Sequence, residues 1–184
     1  MKNVLFFMFL SILAFSCGDD DDLTADLFYD SGVNDAPFLD AGEYIAAARF
    51  PASDMSEFQG RNLEGIEYYL LNTPNQCEVR VYQGGSGTEP GTLIYNKSVT
   101  TEMEKESWNL HTPDTDVVLS GEELWIAVRV VLNDRAATIG CDPGPAVTDG
   151  DWFNSDANNQ WETFRNFSGG QVNINWNIRG QVSD

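Results

Sequence analysis

The chain has 184 residues, with 29 acidic against 10 basic side chains and a formal net charge of −19. That length holds one well-buried domain rather than two. A chain this acidic, with no basic patch, cannot neutralise a phosphate backbone, so charge-driven nucleic-acid binding is excluded and repulsion from anionic membrane surfaces is expected.

Residues 1–16 read as a secretory signal, with Lys2 as the charged start, an apolar run over 4–15 interrupted at Ser11, and small Ser16 at the end. The run is too short to span a bilayer comfortably. Leu13-Ala14-Phe15-Ser16-Cys17 resembles a lipobox. The resemblance implies cleavage before Cys17 and lipid attachment at that cysteine. Acyl chains contribute about 0.8 kcal/mol per buried CH₂, so two or three of them anchor a protein without a spanning helix. Asp19 to Asp22 follow at once and resemble the acidic export signal of Bacteroidota surface lipoproteins. That implies an outer-membrane lipoprotein exposed at the cell surface; a periplasm-facing lipoprotein with a plain acidic spacer is the alternative. Residues 17–42 are accordingly expected to be a lipidated, solvated tether, and 43–184 the folded domain.

From residue 43 the pattern is one of short strands. A strand over 44–50 ends at Pro51, and Ser53 or Asp54 is placed to cap a short helix over 53–59 that Gly60 stops. Residues 63–71 put Ile66, Tyr68 and Leu70 on one face, and 77–82 alternate Cys77, Val79 and Val81 against Glu78, Arg80 and Tyr82. The glycine-rich stretch 84–91 reads as a hairpin connection into 93–95, not a phosphate cradle, because no lysine follows and no helix opens after it. Short strands over 107–110 and 117–119 flank the Pro113 turn. Residues 123–132 form the strongest core strand, with Leu124, Ile126, Val128 and Val130 on one face and Trp125 on the other. Residues 140–151 read as a loop around Pro143-Gly144-Pro145, and 152–153, 161–164 and 172–182 supply the closing strands. Many short strands between Gly, Pro, Asn and Asp turns predict an all-β antiparallel β-sandwich of jelly-roll type with one short helix.

Several segments occur in a fixed order: Ala48-Arg49-Phe50-Pro51, Val81-Tyr82-Gln83-Gly84-Gly85, the stretch 87–95, Leu124-Trp125-Ile126-Ala127-Val128, the stretch 141–146, and Asn175-Trp176-Asn177-Ile178-Arg179-Gly180. Together they resemble the jelly-roll β-sandwich accessory and adhesin-like modules of Bacteroidota surface proteins, over about residues 44–182. The resemblance implies a binding or spacing unit rather than a catalyst. Some related jelly rolls hold structural calcium near a loop end.

With Cys17 lipidated, Cys77 and Cys141 remain as a candidate disulfide, which in an oxidising compartment closes a loop of about 65 residues and contributes roughly 4 kcal/mol. A buried free thiol at Cys77, which sits in a strand pattern, is the other reading. Two cysteines and the single His111 do not make a zinc site. Asp142, Asp149, Asp151 and Asp156 crowd one stretch with Asn154, Asn158 and Asn159, a supply of hard oxygens that suits Ca²⁺. Asp142, Asp149 and Asp151 are the candidate calcium ligands; a solvated loop is the bland alternative. Trp152 and Trp161 flank this polar stretch and are the candidate ligand-binding residues, able to stack on sugar rings or pack on a protein. No nucleophile elbow or metal-binding histidine pair is present, and His111 reads as a turn residue. The expected function is therefore non-catalytic binding or adhesion to a glycan or surface protein, anchored to the membrane through lipid. A structural subunit of a surface complex is the first alternative, and a hydrolase of unknown type the second.

Overall fold

Two strands with strict alternation build the centre of the fold. In the computed structural model, which describes residues 26–33 and 35–184, β2 (Gly42–Phe50) turns Tyr44, Ala46, Ala48 and Phe50 inward. β7 (Leu124–Leu132) does the same with Leu124, Ile126, Val128 and Val130. The two pair antiparallel from Gly42↔Leu132 to Phe50↔Leu124 without a register break, so both apolar rows fall on one face.

Around this pair stand β1 (Phe38–Leu39), β3 (Leu63–Leu70), β4 (Gln76–Gly85), β5 (Pro90–Ser98) and β6 (Ser107–His111). The chain continues with β8 (Ala136–Ala137), β9 (Trp152–Ser155), β10 (Trp161–Thr163) and β11 (Ile178–Val182). A six-stranded sheet in the order β10-β9-β2-β7-β4-β5 packs against a three-stranded sheet β11-β3-β6, with β1-β8 as a small separate pair. Every strand pairing is antiparallel. The fold is thus an all-β antiparallel sandwich. Its core lies between the sheets, where Ile66, Tyr68 and Leu70 of β3 meet Val79 and Val81 of β4, Phe153 of β9 and fully buried Trp176. The sheets approach closely at Gly180, where a Cβ would stand 2.6 Å from Ile126 Cδ1. Among the described residues no helix is long and apolar enough to cross a membrane.

Several expectations change. The signal, Cys17 and the aspartates at 19–22 lie outside the described residues. Within the expected tether, residues 27–33 and 35–39 lie along the sandwich. Leu27 bridges Gly180 at the edge of β11, Asp35 bridges Cys141, and Leu27, Ala36 and Leu39 are buried. The expected helix starts one residue early, as α1 (Ala52–Met55) followed by a 3-10 turn over Ser56–Phe58. Pro51 is its N-cap, with no side-chain cap, and the Ser53 hydroxyl bonds Asp54 instead. Gly60 ends the segment at φ +84°, as its position predicts. A second helix, α2 (Phe164–Phe167), replaces part of an expected strand, because the Thr163 hydroxyl accepts the Asn166 N–H and caps it. The expected strand at 172–182 begins only at Ile178, and 117–119 makes a single bridge, Asn62↔Val118.

The candidate disulfide is not formed. Cys77 and Cys141 are free and buried, Cys77 facing the inter-sheet core and Cys141 held by Asp35 and Trp176, its thiol donating to the Asp35 carbonyl at 3.4 Å. Burial pushes both thiols up to about 12.

Candidate ligand-binding face

The outer face of the six-stranded sheet carries a second hydrophobic cluster, separate from the core. It begins with two small residues. Ala47 and Ala127 stand opposite one another on β2 and β7, and Trp152 lies next to Ala47 on β9. Without side-chain bulk there, the centre of the face is a trough wide enough for indoles. Trp125 is a neighbour of Arg49 on one side and Tyr82 on the other. Its ring packs 5.1 Å from Trp152 and 5.4 Å from Trp161, centroid to centroid. Trp161 reaches across from β10 and meets Tyr82 edge-to-face at 6.5 Å. The result is that Trp125 is 0% exposed although it points away from the core, while Trp161 and Tyr82 stay half-buried and form the upper surface.

One arginine orients two of these rings. Arg49 donates to Glu123 at 2.6 Å and to Asp149 at 2.8 Å. Glu123 in turn accepts the Trp125 indole N–H at 2.7 Å, and Asp149 accepts the Trp152 indole N–H at 3.1 Å. Asp149 adopts φ +76°, a left-handed conformation uncommon outside glycine, and its carbonyl accepts the Arg49 backbone N–H. Burial pushes the Glu123 carboxyl up, but hydrogen bonds from Arg49 and Trp125 outweigh it and hold the group below the ordinary range. Trp161 is different: among the described residues its indole N–H has no hydrogen-bond acceptor.

A second ion-pair group borders the cluster on the same face. Arg129 donates to both oxygens of Glu43 and, at 3.0 Å, to Glu78. Arg80 donates to Glu78 at 2.7 Å. Hydrogen bonding from Arg129 holds Glu43 below the ordinary carboxylate range. Three of the chain's arginines therefore stand on this one face, each matched to carboxylates.

The two candidate tryptophans are thus brought together, but neither is freely exposed: Trp152 is 8% accessible and serves as packing beside Trp125, leaving Trp161 as the surface ring. Trp125, Tyr82 and Arg49 are site residues that the sequence reading did not select. The alternation of β4 and β7 already put Tyr82 and Trp125 on the face away from the core, which is the signal that finds them.

The candidate calcium ligands do not converge. The Asp142 carboxylate accepts from Asn175 N at 2.7 Å, Gly144 N at 2.9 Å, Asn175 Nδ2 at 3.0 Å, and Ser31 N and Oγ at 3.1 and 3.2 Å. Asp149 is taken by Arg49 and Trp152, and Asp151 by Arg165 at 2.9 and 3.0 Å. Calcium needs six to eight oxygens around one point. Among the described residues no group of three or more His, Cys, Asp or Glu is placed to hold a metal ion.

His111 is a buried strand end rather than a turn residue. Its Nε2 lies 2.8 Å from the Tyr95 hydroxyl, which donates to Asp114 at 3.1 Å, and Asp114 pairs with Lys97 at 2.6 Å.

The chain was compared with protein-family models, curated proteins and solved structures, and it matches none of them.

Proposed function

We propose that this chain is a lipid-anchored surface protein whose sandwich, of the jelly-roll kind it resembles, is a non-catalytic binding module. Its ligand is a glycan held on the outer face of the six-stranded sheet. The observation that carries this reading is the aromatic cluster built outside the core, with Trp161 as its accessible ring over fully buried Trp125.

A sugar ring offers an apolar C–H face to an indole and hydroxyls around its edge. Trp161 supplies the flat apolar surface and a free N–H donor; Glu43, Glu78, Arg80 and Arg129 supply donors and acceptors beside it. Packing between Trp125 and Tyr82 holds the Trp161 ring in place beforehand, so little side-chain entropy is lost on binding. The arginines are already matched by carboxylates, and the face therefore offers hydrogen bonds without a net positive charge. A neutral glycan fits this better than an anionic one. Hydrolysis has less support, since a general acid must keep its proton near neutrality, whereas Glu43 and Glu123 are held below the ordinary range.

Glycan-array screening of the purified protein, followed by titration of the hits, tests the reading. A neutral oligosaccharide is expected to bind, with at least a tenfold loss in Trp161→Ala, or about 1.4 kcal/mol. Absence of any glycan ligand, or binding that survives Trp161→Ala unchanged, contradicts it.

A further inference from the structure

The three-stranded sheet carries an aromatic face of its own, on the opposite side of the sandwich from Trp161. Since Ile66, Tyr68 and Leu70 point into the core, the alternate residues of these strands point out. Arg179, Glu67 and Leu110 form one outward row across β11, β3 and β6, and Tyr69 and Trp108 form part of the next. The Arg179 guanidinium lies 4.1 Å from the Trp108 ring centroid and 5.4 Å from that of Phe28. Two hydrogen bonds to Asp30, at 2.9 and 2.7 Å, fix it there. Tyr69 packs edge-on against Trp108 at 5.9 Å. Phe28 is 51% exposed and Leu110 47% exposed. Gly65 lets Leu110 settle across β3, because a Cβ there would come within 3.0 Å of Leu110 Cδ1.

Trp, Tyr and Arg around exposed aliphatic and aromatic carbon make up the composition of protein-binding hot spots. The charged residues lining the two neighbouring clefts have one sign. A cleft of about 400 Å³ includes Glu64 and Asp116 in its lining, and another of about 210 Å³ is lined by Glu102 and Glu104 together with Trp108 and Leu110. No lysine or arginine lines either cleft. Arg179, the cation at the centre, is matched by Asp30.

From this we infer that the outer face of the three-stranded sheet docks a protein segment with an apolar centre and lysines or arginines on its flanks. The apolar centre covers Phe28, Trp108 and Leu110, and the basic flanks enter the two acidic clefts. Charge disfavours a second copy of this chain, since each copy brings a net charge of −19.

The test uses the full chain and two labelled nine-residue probes, one with three leucines flanked by three lysines on each side and one with the same leucines flanked by glutamates. Fluorescence anisotropy measures affinity, and the indole N–H signals of Trp108 and Trp161 report where binding occurs. The leucine–lysine probe is expected to bind, to shift Trp108 but not Trp161, and to weaken at least tenfold in Leu110→Asp. The leucine–glutamate probe is expected not to bind. Leu110 is exposed, so the variant should fold, and an unchanged far-ultraviolet circular dichroism spectrum checks this. General attraction to an acidic protein predicts the opposite sign, because Leu110→Asp adds a negative charge and should bind the cationic probe as well or better. Undiminished binding in Leu110→Asp, an unmoved Trp108 signal, equal binding of both probes or no binding overturns the inference. None of these outcomes depends on Trp161, so glycan binding on the other face stands or falls separately.

Discussion

Arg49→Ala removes the group that organises the aromatic face, and its cost can be worked from the geometry. Two charge-assisted hydrogen bonds, at 2.6 and 2.8 Å, are lost. Each such bond contributes about 1.5–3 kcal/mol, and stripping one partner from a buried pair costs about 3–5 kcal/mol. The side chains here are 15%, 12% and 11% exposed for Arg49, Glu123 and Asp149, so some water reaches them and the low end applies. A loss of about 3 kcal/mol in unfolding free energy at pH 7 is expected from denaturant titration followed by tryptophan fluorescence. The penalty also depends on pH. The folded Glu123 carboxyl is held below its ordinary 4.5, so its stabilisation is present above that value and is lost as pH falls through the folded one. Wild type and variant should therefore converge in acid. Arg49→Met keeps the packed stem and should recover little. A penalty below about 1 kcal/mol, or one equally large at pH 7 and in acid, would refute the reasoning.

His111 is the single histidine of the chain, so its ring proton can be followed alone by NMR. Burial should lower its titration below 6.5, overcoming the pull of Glu102 and Asp114, so its share of stability is intact above 6.5 and falls as pH drops toward the folded value; a midpoint at or above 6.5 counts against this. Asp142→Ala strips the acceptor from Asn175, Gly144 and Ser31 donors and should cost about 3 kcal/mol, while calcium or a chelator leaves the melting temperature of the wild type unmoved. A calcium-dependent shift abolished by this variant would restore the metal site. Cys77 and Cys141 should resist a thiol reagent in the native state and both react once unfolded without reductant; failure to react then would indicate a bridge.

The central strands were legible because burial writes a period of two into them. β7 places Leu124, Ile126, Val128 and Val130 inside and Trp125 outside, and β4 does the same with Val79 and Val81 against Tyr82. The packing on the far side of that sheet was harder to read, because Trp161 reaches Trp125 from β10 across two intervening strands. Asp142, Asp149 and Asp151 are close in sequence yet bond Asn175, Arg49 and Arg165 respectively, partners that no local spacing identifies. Residues 27–33 and 35–39 have the acidic, small composition of a tether, and long-range partners such as Gly180, Cys141 and Arg179 bring them into the domain. The short helix α2 was hidden by aromatic residues that also favour strands, with Thr163 as the one local sign of a helix start.

A structure of the protein with a glycan selected by array tests the central claim most directly. The expected result is a sugar ring stacked on Trp161, with hydroxyls bonded to the arginines and carboxylates beside it. A sugar bound elsewhere on the molecule, with the Trp161 face bare, would contradict it.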